Sequence, residues 1–276
     1  MCCFSAVQAG STLWERLRGV FGPPLAVSDT AIFARRVDPR CQALIYSMRI
    51  RLRGETAMLL PIPVVPGSGD DALEFVSLVD HAGFFDSLRS LFFVPMTAAA
   101  RGGGYSLPHR APKLVVHEVG SFEASFVPTQ ADFSRLDERF RLPESIWEEL
   151  GDYDDYGFAV FRLRPGRKKP IHPMAFRFVT REPGRLFFPT VHVHDGRVHD
   201  HAEFDHELYY QTPAVTGAVG SFRDPATGDE IGFSRPPDGV LGLVEPGEPV
   251  LRRVLRGTLP NRDTWIELGA ASALEH

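Results

Sequence analysis

Proline and glycine recur too often in this chain for long helices to form. There are 23 prolines and 25 glycines among 276 residues. Each proline removes a backbone donor, and each glycine weakens a helix it interrupts. Between these breaks lie short runs rich in β-branched and aromatic residues, which read as strands bounded by turns. "CCFSAV", "TAIFARRV" and "QALIYSMRIRL" come first; "YGFAVFRLRPG", "PMAFRFVTR", "RLFFPTVHVH" and "RVHDHAEFDHELYYQ" follow later. "AMLLPIPVV" carries Pro61 and Pro63, which predicts an edge strand or an extended segment.

Helical signals are fewer. In "STLWERLRGVFG", Leu13, Trp14, Leu17 and Phe21 fall at helical spacing. "DDALEFVSLVDHAGFFDSLRSLFF" is the strongest helical region, with Leu73, Val76, Leu88 and Leu91 as its apolar positions and Gly83 dividing it. Shorter helices are expected in "ADFSRLDERF" and "PESIWEELGD". The expected fold is α+β, predominantly antiparallel β in a twisted sheet or sandwich, with a few short helices. Residues 1–273 are expected to form a single globular domain, with a flexible loop at 97–112 around Gly102, Gly103 and Gly104. Residues 274–276 look like the remnant of an expression tag.

Apolar residues make up 43% of the chain and charged residues 24%, enough for a sizeable core. The formal net charge of −5 offers no bulk attraction to nucleic acid or an anionic membrane. No apolar run reaches the roughly 18 residues that span a bilayer. "MCCFSAVQAG" lacks the cationic and apolar regions of a signal peptide, and three cysteines do not suggest a disulfide framework. A cytoplasmic protein is therefore expected, without nucleic-acid or membrane partners. "EELGDYDDYG" lacks the spacing of a calcium loop and reads as a solvated turn.

Residues 190–206, "TVHVHDGRVHDHAEFDH", hold five of the ten histidines. Asp195-Gly196 between two β-rich runs signals a two-residue hairpin turn. That register pairs His192 with His199 and Thr190 with His201. Alternation then puts His192, His194, His199 and His201 on one face. Val191, Val193, Val198, Ala202 and Phe204 fall on the other face with Asp200 as a polar intruder, and His206 falls on that core side if the strand does not bulge.

Directly opposed Cβ atoms lie about 4.5–5.5 Å apart, so H-x-H on one strand and a third histidine on its neighbour can converge on one ion. Zinc, copper or iron would suit such a nitrogen set. Glu203 and Asp205 could orient the rings. Bound zinc would activate water for hydrolysis of a small-molecule substrate; copper or iron would support redox chemistry. Four solvated histidines on a hairpin would show the same pattern. The H-x-H on a strand resembles the cupins, without the glutamate that follows at the cupin spacing.

A second chemistry lies at the N-terminus. Loss of Met1 would leave Cys2 with a free α-amine that can act as its own general base. "MC" followed by "IFARRVD" resembles the choloylglycine-hydrolase branch of the N-terminal-nucleophile hydrolases, with alanine in place of the usual glycine. The resemblance implies an amidohydrolase acting on a small amide, in which Arg35 lowers the thiol pKa and Asp38 holds the amine. Cys2 and Cys3 also read as an apolar start to a core strand. If that strand lies beside the histidines, their thiolates would join a mixed N/S ligand set.

The chain as a whole, through "MCCFS", "AMLLPIPV", "FFPTVHVHDG" and "FDHELYYQ", resembles a group of bacterial proteins. That resemblance implies one globular unit and carries no activity. The leading expectation is thus a metal-binding protein. The rivals are the cysteine amidohydrolase and a non-catalytic binding module whose histidine face meets a partner or senses pH.

Overall fold

The computed structural model describes residues 2–6, 26–51, 56–92, 117–119, 122–135, 153–163, 172–193, 198–212, 223–224, 227–236 and 239–268. The proposed helix at 11–22, the loop at 97–112, "PESIWEELGD" and the terminal 274–276 lie outside these residues, or nearly so. Strands dominate, and are numbered in chain order. One sheet runs β11 (His192–Val193), β1 (Cys2–Ala6), β4 (Thr56–Ile62), β8 (Gly157–Leu163), β7 (Phe122–Val127), β6 (His117–Val119). The other runs β13 (Glu230–Ile231), β14 (Leu251–Pro260), β12 (His201–Gln211), β2 (Ala26–Asp38), β3 (Cys41–Arg51), β9 (Met174–Val179), β5 (Leu73–Ser77). A small sheet joins β10 (Arg185–Phe188) to β15 (Thr264–Glu267). The strand pairings are antiparallel except β1 with β11 and β12 with β2.

Strict alternation in the central strands explains how the sheets stack. Ile32 and Ala34 of β2, Leu44 and Tyr46 of β3 and Phe176 and Phe178 of β9 turn inward. They meet Met58, Leu60, Phe161 and Leu163 from the first sheet in one shared core. The intervening residues Ala31, Phe33, Ala43, Ile45 and Ala175 are equally buried on the opposite face. Each sheet is therefore covered twice. Outside the second sheet sit α1 (Phe84–Ser90), through Phe84, Phe85 and Leu88, and a segment carrying Leu243, Val244 and Val250. Outside the first sheet, Phe133 packs edge-on against Phe158 at 5.2 Å between ring centres, and Tyr153 joins the same cluster.

Two expectations are corrected here. Leu73–Ser77 is a strand, not the start of a helix: Leu73 is buried and Phe75 packs against Phe161 and Phe176. The helix begins only after Gly83, which is its N-cap residue. β4, expected at an edge, lies inside the first sheet despite Pro61. Its pairing with β1 ends at Leu59, so Pro61 sits where β8 is the remaining neighbour and a missing N–H is cheap. No helix among the described residues is long and apolar enough to cross a membrane.

The small sheet is tied to the sandwich by one buried side chain. Gln42 Nε2 donates to the Phe187 carbonyl at 2.8 Å, and the Phe187 N–H donates to Gln42 Oε1 at 3.0 Å. The amide thus stands in for a strand neighbour. Gln42→Leu leaves a buried N–H and a buried C=O without these bonds. It should cost about 2–4 kcal/mol in urea unfolding, and a loss below about 1 kcal/mol would show that the tie is dispensable.

Candidate functional site

The histidine stretch does not form the expected ladder. β11 pairs in parallel with β1, putting His192 opposite Cys2. β12 belongs to the other sheet and puts His201 opposite Pro260. The backbone groups that a hairpin would have paired find partners in the connection between β14 and β15 instead. Thr190 N and Val191 N both donate to Asp263 Oδ1, at 2.8 and 3.1 Å. His192 N donates to Asn261 Oδ1 at 2.7 Å, and Asn261 Nδ2 donates to the carbonyls of His192 and His199, each at 2.9 Å. His194, Asp195, Gly196 and Arg197 lie outside the described residues.

Because the two strands sit in different sheets, their faces run in separate phase. Val191 and Val193 are buried in the outer cluster of the first sheet, which turns His192 into the gap between the sheets. On β12 the inward residues are Phe204, His206, Leu208 and Tyr210. His206, set on the core side by its position, is only 2% exposed, and its Nε2 stands 3.1 Å from His192 Nε2. Their ring centres are 4.8 Å apart, and the Phe204 ring lies 4.6 Å from His192 and 5.2 Å from His206. Asp205 Oδ1 is 3.7 Å from His206 Nδ1, a charge neighbour beyond hydrogen-bond distance. His199 and His201 are exposed.

This arrangement corrects the metal reading and the histidine-rich hairpin behind it. Among the described residues no three His, Cys, Asp or Glu side chains stand close enough to hold a metal ion. His192 faces His206 across the gap, while His199 and His201 face solvent. A zinc, copper or iron centre on His192, His199 and His201 has no counterpart in this geometry.

The N-terminal set is also divided between the sheets. Cys2 occupies the register position opposite His192, between β11 and β4. Arg35 and Asp38 lie on β2, whose neighbours are β12 and β3. Arg35 pairs with Glu245 at 3.1 Å and with Glu248 at 3.9 Å. Burial pushes the Glu248 carboxyl up, while Arg35 pulls it down. Asp38 accepts from Arg40 N and Cys41 N, each at 2.8 Å, and so closes the Pro39 turn between β2 and β3.

A different feature stands out on the outer face of the second sheet. Leu241 has φ 49° yet is 47% exposed. A γ-branched residue in the left-handed region costs about 1–2 kcal/mol. The turn keeps this conformation because it is fastened on both sides. Arg177 donates to the Leu241 carbonyl, and Leu243 N donates to the Val240 carbonyl at 2.7 Å. Gln211 Nε2 donates to the carbonyls of Glu245 and Glu248, at 2.7 and 3.0 Å, and Glu245 N returns a bond to Gln211 Oε1 at 2.8 Å. Leu243 and Val244 anchor the turn from below, buried against the sheet. Val179, 39% exposed, shares the β9 face of Arg177. In the sequence, "DGVLGL" carries no periodicity that separates Leu241 from its buried neighbours.

No protein-family model matches the chain, and no curated protein matches its sequence. Solved structures do resemble it. The crystal structure of baculovirus P35 shares 14% identity over 90% of this chain and 98% of that one, with a TM-score of 0.47. A mutated baculovirus P35 after caspase cleavage gives 12% identity, 88% and 98% coverage and a TM-score of 0.45. The caspase-8/P35 complex gives 13%, 87%, 96% and 0.42. At these values the likeness assigns no role to any residue of this chain.

Asn261 bonds both the N–H and the carbonyl of His192 on β11. Asn261→Asp keeps the shape but removes both donated bonds, leaving the carbonyls of His192 and His199 without them. The expected loss is about 1–3 kcal/mol in urea unfolding, with the amide resonance of His192 shifted. An unmoved His192 resonance would show that other contacts place this strand.

Proposed function

We propose that this chain is a non-catalytic binding module, and that Leu241 is the apolar tip it presents to a protein partner. One observation carries the reading: an exposed leucine is held in a left-handed conformation by a turn that is otherwise firmly anchored. A strained non-glycine residue persists only where its surroundings over-determine it, and such residues gather at ligand-contacting sites. Here the supports are Arg177, Gln211 and the buried Leu243 and Val244. They hold the tip in place before any partner arrives, which lowers the ordering cost of binding. An aliphatic tip framed by arginine and glutamate side chains suits a partner with a small apolar socket and a polar rim.

The test separates strain from contact. Asparagine adopts the left-handed region more easily than leucine and presents no aliphatic group. Leu241→Asn should therefore leave stability unchanged or raise it by about 1 kcal/mol in urea unfolding. Random peptides displayed on phage and selected on the immobilised wild-type chain should lose binding to the variant. A stability loss above about 1 kcal/mol would mark Leu241 as structural support. Peptides that bind both forms equally would remove it from the contact surface.

A further inference from the structure

The His192 and His206 pair does something that the Leu241 surface does not use. It is a nitrogen-to-nitrogen contact of 3.1 Å that spans the gap between the two sheets, with His206 2% exposed and the Phe204 ring packed beside both imidazoles. A hydrogen bond between two Nε2 atoms requires one donor and one acceptor. A neutral pair meets this with one ring protonated on Nε2 and the other on Nδ1. A pair with one added proton meets it with an imidazolium donor and a neutral acceptor. A doubly protonated pair offers two donors and no acceptor, and sets two like charges in contact within the sandwich.

We infer that His192 and His206 form a proton-sharing latch between the sheets, closed with at most one added proton and opened when both rings are protonated. The surrounding charges favour the singly protonated state over the doubly protonated one. From β12 itself, Asp205 lies 3.7 Å from His206 Nδ1 and supports one positive charge. From β2, Asp29 donates its backbone N–H to Asp205 Oδ2 at 2.7 Å and pairs with Arg49 of β3 at 3.1 Å, which tempers that carboxylate. From β14, the residue opposite His206 is the uncharged Leu255, while Arg256 stands opposite Asp205. Glu207 is already engaged by Arg89 at 2.7 Å and Arg252 at 3.8 Å. From β1, Cys2 occupies the position opposite His192, and the uncharged Asn261 holds the His192 backbone. Among the described residues, the carboxylate placed against a ring nitrogen of the pair is that of Asp205, which favours one added proton.

The sign follows from proton counting. Unfolded histidines each take a proton near pH 6.5, whereas the closed latch accepts only one between them. Below that pH the unfolded chain binds more protons than the folded one, so stability falls as pH falls. Carboxylates titrate lower, which leaves pH 5 to 6.5 as the window in which the latch dominates. β11 is a two-residue edge strand, so opening releases that edge beside β1 first.

The folding equilibrium constant of the wild-type chain, from urea unfolding at pH 7 and pH 5, should fall about tenfold, the value of one proton over about one pH unit. His206→Gln keeps a donor and an acceptor but cannot take a charge. Its constant should change less than threefold over the same range, as should that of His192→Gln. His172→Gln, at another buried histidine, should keep the wild-type dependence. Equal pH dependence in the wild type and both pair variants would overturn the latch. Should those variants fail to fold, imidazole NMR titration of the wild type decides. Two coupled steps separated by more than about one pH unit support the latch, and two independent single-step titrations overturn it.

Discussion

The architecture follows from strands that are apolar on both faces. In β2, Ile32 and Ala34 fill the space between the sheets while Ala31 and Phe33 are equally buried on the other side. β4 and β8 repeat the pattern, with Met58 and Phe161 inward and Leu59 and Phe158 outward. Sheets with no wetted face must be covered twice. Outside the sandwich, that cover is made by α1, by short 3-10 turns and by irregular chain. Irregular chain brings unpaired backbone groups against an apolar surface, and each needs a partner. Gln211 supplies partners to Glu245 and Glu248, and Arg177 supplies one to Leu241.

Polar side chains act as missing strands elsewhere too. Gln42 pairs with both backbone groups of Phe187. Asp263 receives two consecutive amides, and its second oxygen accepts the Tyr153 hydroxyl at 2.7 Å. Tyr210 donates to Asp229 at 2.6 Å, where Arg253 also binds. Burial and the Asp229 carboxylate both push the Tyr210 hydroxyl above its ordinary pKa. The same device redirects the histidine stretch. Asp-Gly between two β-rich runs is a sound local hairpin signal, yet Asn261 captures His192 from 69 residues away. Local pattern carries no information about a competitor that remote.

Legibility followed range. β2, β3, β8, β9 and β12 were readable because alternation and turn residues lie within each segment. "LEFVS" was not, since Leu73 and Val76 fit a helical period while Leu73 and Phe75 fit a strand. Pairing with β9 selects the strand. Parity along a strand was also readable. It placed Val191 and Val193 in a core and His206 on a core side, as the structure has them. What parity could not supply was the sheet to which each strand belongs. Of the histidines expected on one face, His192 instead meets His206 across a gap, while His199 and His201 are exposed.

Leu241 and the histidine pair are opposite inversions of the same rule. One is an apolar side chain kept out in water on a strained backbone; the other is a polar pair kept inside an apolar gap. Neither is what packing alone would select. A lone histidine there would lose the one nitrogen-to-nitrogen bond that spans the gap. Two facing histidines give each other one partner across the gap, so the polar contact there is made as a pair. That solution makes the joint between the sheets conditional on charge. Leucine in both positions would join them at every pH. The structure instead places a titratable contact where the edge strand β11 meets the second sheet, and an anchored apolar tip on that sheet's far face.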